Sequence, residues 1–128
     1  MAGKIIADQL QSTTAGTIDT KFVVNGSAKT WMHLNGTGTI AIQDSFNTSS
    51  VTDVGAGSYT QTYTNGMNNA FYGSQLSYNR STSTNNGCMG FIDSTYTSAL
   101  LNILLVRHDN LANEDSSRVM TTLHGDLA

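Results

Sequence analysis

The chain has 128 residues, a formal net charge of -3 and a pI near 5.3, with 38% hydrophobic and only 12% charged residues. That length builds one domain with a modest core, and its six scattered Lys and Arg exclude a nucleic-acid surface, which needs clustered cations. The single Cys88 excludes an intramolecular disulfide, and no apolar run suits a signal peptide or a bilayer span.

A soluble protein made in the cytoplasm, with no membrane insertion, is therefore expected. Ser, Thr, Asn and Gly replace the usual charged residues, Pro is absent, and Thr, Tyr, Val and Ile are frequent. This composition suits pleated strands rather than helical surfaces, with turns made by Gly, Asn and Asp.

Residues 1–20 lack clear periodicity. Ile5, Ile6 and Leu10 would share a face of a short helix, or the segment is an extended arm; an arm docking on a neighbour is the preferred reading. Lys21 to Val24 reads as a strand stopped by the hairpin-forming pair Asn25-Gly26. From Ala28 to Asn35 the chain alternates. Thr30, Met32 and Leu34 face one side, Lys29, Trp31 and His33 the other, so both faces carry apolar groups and both are expected to be covered. Asn35 to Gly38 turns the chain into Thr39–Gln43.

Phe46–Val54 and Ser58–Thr64 form the clearest hairpin, joined by Gly55-Ala56-Gly57, with Tyr59, Gln61 and Tyr63 on one face. Ala70–Tyr78 follows as a strand, then Asn79–Gly90 as a polar loop, and Phe91-Ile92 opens a short strand. Ser98–His108 fits a buried strand or a helix; the strand is preferred, because no cap precedes it and Ile103 and Val106 are β-branched. After the loop Asp109–Ser116, Arg118–His124 closes the sheet with Val119, Thr121 and Leu123 on one face. About seven to nine short strands at this spacing predict an all-β fold, an antiparallel β-sandwich or jelly-roll-like domain over residues 21–128, with residues 1–20 as an N-terminal attachment arm.

Reactive constellations are sparse. His33, His108 and His124 have no metal spacing, so no metal or other cofactor is expected. No GxSxG elbow exists, and Cys88 has no His near it in sequence. A glycosidase needs two carboxylates held about 5–10 Å apart in a cleft, which spacing alone does not identify. Asp109, Glu114 and Asp115 resemble a loose oxygen-ligand cluster but lack the alternation and Gly of a calcium loop, and read better as a solvated loop. Four N-x-S/T matches, at Asn25, Asn35, Asn47 and Asn79, are what an Asn-rich and Ser/Thr-rich chain produces by chance. The polar-aromatic segments are the most function-like surface, combining rigid Tyr area with adaptable Asn, Ser and Gly. Tyr59 and Tyr63 read as sheet filling, whereas Tyr96 and the Asn79–Cys88 loop are balanced between packing and recognition.

Val23–Trp31 (VVNGSAKTW), Asn35–Thr60 (NGTGTIAIQDSFNTSSVTDVGAGSYT) and the closing HGDLA resemble a module of tailed bacteriophages of cyanobacteria and other aquatic bacteria. That module is described as tail-fibre-like or virion structural. Its pattern runs NGSAKAW, NGTGT, DSFNVSSVTDNGTGDYT and then a strand bearing Phe or Tyr. The chain departs from it at Met32-His33 and in the GAGSYTQTYTN hairpin, and the likeness covers about two thirds of the length.

The resemblance implies a non-enzymatic virion protein, a homotrimer attached by its arm to other virion proteins of the tail or capsid. Ile5, Ile6, Leu10, Trp31 and Met32 would then make subunit or virion contacts. As a tail fibre or knob, the protein would touch a host surface glycan or protein through loops holding Arg80, Asn85, Asn86, Tyr96, Asn110 and Asn113. The alternative is a capsid decoration or head-fibre protein that clamps coat subunits. A polysaccharide-cleaving enzyme is the least favoured reading.

Overall fold

The computed structural model describes residue 3 and residues 6–79, 88–93 and 95–128, with residue 88 described in its backbone alone. Two antiparallel four-stranded sheets stack into a β-sandwich. The first, in spatial order, contains β4 (Ala41–Phe46), β3 (Thr30–Asn35), β10 (Val119–His124) and β7 (Gly73–Tyr78). The second contains β5 (Thr48–Gly55), β6 (Ser58–Tyr63), β9 (Leu100–Arg107) and β8 (Cys88–Ile92). Ahead of the sandwich, β1 (Gln9–Ser12) pairs with β2 (Gly16–Asp19), and α1 (Thr20–Gly26) leads into β3.

Strand alternation places the core. Thr30, Met32 and Leu34 of β3 point inward, as do Val119, Thr121 and Leu123 of β10, Tyr59, Gln61 and Tyr63 of β6, and Leu101, Ile103 and Leu105 of β9. Period two fits a sheet with one face on the core and the other toward solvent. Trp31 and His33 on the outer face of β3 are half-buried, so the expected double coverage of this strand is partial within one chain.

Two local readings change, and one left open between helix and extended chain is decided. Lys21–Val24, expected as a strand, lies in α1: Asn25-Gly26 ends a helix here instead of turning a hairpin. The Lys29 ammonium holds the Val24 carbonyl near the helix C-terminus, where a cation is favourable. Residues 9–19 are extended, not helical, and form a hairpin whose turn is bonded by Ser12 Oγ accepting from the Ala15 N–H at 3.2 Å. Finally, residues 88–90, expected as loop, belong to β8 and pair with β9 from Cys88–Arg107 to Ile92–Ile103. Gly90 belongs there for steric reasons, since a Cβ would lie 2.6 Å from the Leu76 side chain of the opposite sheet.

One polar chain crosses the core. Gln61, fully buried, accepts at Oε1 from the Thr121 hydroxyl at 2.7 Å and donates from Nε2 to Thr48 Oγ1 at 2.8 Å. Thr48 in turn lies 3.3 Å from Thr30 Oγ1, whose hydroxyl donates to the Phe46 carbonyl at 2.9 Å. The network therefore joins β10, β6, β5, β3 and β4 across both sheets. Among the described residues, no helix is long and apolar enough to cross a membrane.

Because a buried group deprived of its partner costs about 1–3 kcal/mol, Gln61→Leu should destabilise the fold by about 2–3 kcal/mol although it makes the core more apolar. Gln61→Leu with Thr121→Val should recover part of the loss, both read from urea unfolding midpoints.

Candidate functional site

The two ends of the sandwich differ in chemistry. The end where β3 begins and β6 and β10 finish carries α1, the β1–β2 hairpin, residues 64–72, residues 95–99 and the C-terminal residues. The opposite end carries residues 36–40, the Gly55–Gly57 turn and residues 108–118, and the strands flanking residues 80–87 also reach it.

Most of the exposed large apolar side chains belong to the first end. They include Leu10 and Ile18 of the hairpin, Phe22, Val23 and Val24 of α1, and Phe71, which is 93% exposed. A groove of about 560 Å³ runs between α1, Phe46 and Leu127, with Lys29 in its wall. Lys29 is only 7% exposed, its ammonium bonded to the Val24 carbonyl and to Ser27 Oγ at 2.8 Å. The C-terminal residues dock at the same end, with Ala128 N–H donating to Gly66 O at 3.1 Å and Asn68 N–H to Asp126 O at 2.7 Å.

Three aromatic rings complete this end. Tyr63 and Tyr72 meet edge to face at 6.1 Å, Tyr72 and Tyr96 at 5.8 Å, geometries favoured by the ring quadrupoles. The Tyr63 hydroxyl donates to the Tyr72 oxygen at 2.9 Å, and the Tyr72 hydroxyl lies 3.1 Å from the Thr97 and Leu100 carbonyls. Burial pushes both phenols above the ordinary tyrosine range; donation to Tyr72 pushes Tyr63 further, while accepting that bond draws Tyr72 partly back.

The opposite end is polar and pinned. The buried Tyr59 hydroxyl lies 2.8 Å from Gly36 O and 2.9 Å from Asp115 Oδ1, and the same carboxylate oxygen accepts the Gly57 N–H at 2.6 Å. Gly36 N–H donates to Ser116 O at 2.9 Å. Three connections that are far apart in sequence are thus held by one phenol and one carboxylate. Burial, followed by donation to Asp115, raises the Tyr59 phenol well above its ordinary value. Gly57 has φ +65°, and a Cβ there would lie 2.4 Å from Leu105 O, so the tight approach requires glycine.

The acidic residues in this region are engaged. The Arg107 guanidinium forks onto Asp109 at 3.1 and 3.0 Å and lies 4.0 Å from Glu114. Among the described residues, no group of three or more His, Cys, Asp or Glu could hold a metal ion.

The residues anticipated from sequence distribute unevenly. Ile6 and Leu10 are exposed, with Leu10 on the hairpin, and Trp31 is half-buried beside Phe46 on the outer face of the first sheet. Met32 is a correction: it is 1% exposed in the intersheet core and offers no surface to a neighbour. The alternation of β3 that places Trp31 outside puts Met32 inside. Asn110 and Asn113 are exposed at the polar end, whereas Tyr96 lies at the apolar end. Ile5, Arg80, Asn85 and Asn86 fall outside the described residues. Sequence reasoning missed Phe71 and the apolar face of α1; the adjacent pair Phe71-Tyr72 and the run Phe22-Val23-Val24 were the available signals. No protein-family model, curated protein or solved structure matches the chain.

Two outcomes follow from the tyrosines. Tyr59→Phe should cost about 1–3 kcal/mol, since it strips the shared hydroxyl from Gly36 O and Asp115. Tyr59, Tyr63 and Tyr72 hold their protons more tightly folded than unfolded. Their stabilisation is therefore complete below pH 10 and is lost as pH rises beyond it, because the unfolded chain ionises first. Urea midpoints should be unaffected by these groups up to about pH 9 and fall above it, and their tyrosinate absorbance should appear only with unfolding.

Proposed function

We propose that the chain is a non-enzymatic structural protein of a phage virion, a tail fibre or knob whose apolar end attaches and whose polar end faces the host surface. The observation that carries this reading is the segregation of the two ends. Monomeric proteins rarely leave a contiguous apolar patch of several hundred Å² uncovered, and here the hairpin, α1, Phe71 and Leu127 gather exposed apolar groups at one end. The phrases shared with tailed-phage virion proteins supply the biological setting. A homotrimer would cover this end by seating the apolar hairpin of each copy on the apolar groove of the next in a closed ring.

The other end suits adaptable recognition. Asn110 and Asn113 sit on a loop whose base is held by Arg107, Tyr59 and Asp115, a rigid support for a variable contact. Decoration of the capsid is the second reading, because the same apolar end could clamp coat subunits; position on the particle separates the two. For a hydrolase, the depression lined by Asp8 and Asp19 at the hairpin base is a weak start, with Asp19 held by Gln9 at 2.9 Å and Lys21 at 3.4 Å.

Leu10→Asp with Ile18→Asp changes two exposed residues and should leave the circular dichroism spectrum intact. It should abolish incorporation into particles and shift the light-scattering mass to that of a monomer. Unchanged incorporation would sink the attachment role. In a cryo-EM map, three-fold density at the tail supports the fibre, whereas density spread over the head lattice makes it a decoration protein.

A further inference from the structure

The outer face of the first sheet carries a depression of about 440 Å³ that the loop residues above do not explain. It is lined by His33, Asn35, Thr37, Gln43, Ser117 and Arg118. Every one of these side chains is polar: one imidazole, two carboxamides, two hydroxyls and one guanidinium. Such a lining has no place for a lipid or an apolar ligand.

The backbone builds this site by a departure from regular pairing. His33 pairs with Asp44 but Leu34 with Ile42, so Gln43 is the extra residue of a β-bulge. Bulges re-aim side chains, and this one brings Gln43 to the same depression as His33 and Asn35. The opposite wall is equally fixed. Buried Ser116 bonds through its hydroxyl to Arg118 O at 2.9 Å and Asn79 O at 3.0 Å, and accepts the Arg118 N–H at 3.3 Å. Asn35 Oδ1 accepts from the Thr37 N–H and hydroxyl at 3.2 and 2.8 Å, which leaves its Nδ2 donors for another partner.

Two groups are left over. His33 Nε2 is buried with no hydrogen-bond partner in the protein, a rare condition that calls for an explanation. Among the described residues, no carboxylate pairs with the Arg118 guanidinium, although the chain carries a net negative charge.

We infer that this depression is a binding subsite for a carboxylated saccharide unit, such as a hexuronate. An Arg fork matches a carboxylate in two parallel bonds. The carboxamides and hydroxyls supply the alternating donors and acceptors that ring hydroxyls need. Trp31, two residues back on the same face of β3, gives an aromatic neighbour for the apolar side of a sugar ring. A single guanidinium in an acidic chain favours a monoanion over a phosphate dianion. This inference rests on the polar end being the outward one, and it adds the ligand class and the residues.

The test is a titration of the full chain, followed by NMR amide shifts, with methyl glucuronide, methyl glucoside and acetate in separate arms. Methyl glucuronide should bind saturably with a Kd of ~1 mM, shifting the amides of His33, Asn35, Gln43 and Arg118. The glucoside and acetate should each bind at least roughly 10-fold more weakly, as expected for losing a charged fork or the hydroxyl contacts. Arg118→Gln should weaken the glucuronide by roughly 10-fold or more, with Arg118→Lys intermediate; the side chain is exposed, so both variants should fold. Gln43→Ala should weaken it several-fold.

No saturable shift, equal shifts with acetate and glucuronide, or indifference to Arg118→Gln would each overturn the inference. None of these results bears on where the protein sits on a particle, so failure here is distinct from failure of the fibre reading.

Discussion

The fold depends on a single constraint: two sheets must bury one face each while keeping Gln61 satisfied between them. The apolar contacts of Leu34, Leu101, Ile103, Leu105, Val119 and Leu123 are non-directional and tolerate many relative placements of the sheets. The Gln61 carboxamide does not. It needs Thr121 from one sheet and Thr48 from its own at hydrogen-bond distance simultaneously, and in a low-dielectric core an unmet amide is costly. Hydrophobic burial drives the sheets together, and the amide sets their register.

From that register the two ends acquire their characters. The turns of hairpins β3–β4 and β5–β6 fall at the polar end, whereas the β4–β5 crossing and residues 64–72 fall at the apolar end. The crossing from β4 to β5 is made at Asn47, with φ +57°, whose side chain holds Lys29 O, Asn65 O and the Asn65 N–H. Asn tolerates this left-handed conformation better than most residues. An N-x-S match in the sequence is therefore a structural corner, and its amide is committed to the backbone.

Strict alternation was legible from sequence. Tyr59, Gln61 and Tyr63 were assignable to one face, as were Thr30, Met32 and Leu34, because period two has no helical counterpart. The strand preferred for Ser98–His108, from its missing cap and the β-branched Ile103 and Val106, is β9 (Leu100–Arg107), with Leu101, Ile103 and Leu105 buried in turn. What failed was punctuation. Asn25-Gly26 serves a hairpin or a helix end equally well, and here Lys29 on the Val24 carbonyl and the Ser27 N–H on the Val23 carbonyl close a helix end. Gly90 looked like a loop breaker but sits within β8, closely packed under the side chains of Leu76 and Tyr78 across the core. The depression around His33 was illegible, since it arises from one extra residue in β4 and from a wall contributed by Ser117 and Arg118, far away in sequence. Met32 was offered as a contact residue on the expectation that both faces of β3 meet a neighbour, but its face is the intersheet core.

The short helix between hairpin and sandwich has a mechanical consequence. α1 spans seven residues, buries none of them and has no side-chain N-cap bond, so little intrinsic helical stability supports it. Its ties to the sandwich are the Lys29 ammonium on Val24 O and His124 Nδ1, 3.0 Å from Gly26 O. Hydrogen bonds of this kind are worth only about 0.5–1.5 kcal/mol each, whereas the sandwich is held by a continuous buried apolar cluster. α1 is thus a compliant joint: under load it yields first, while the sandwich beyond it keeps its shape.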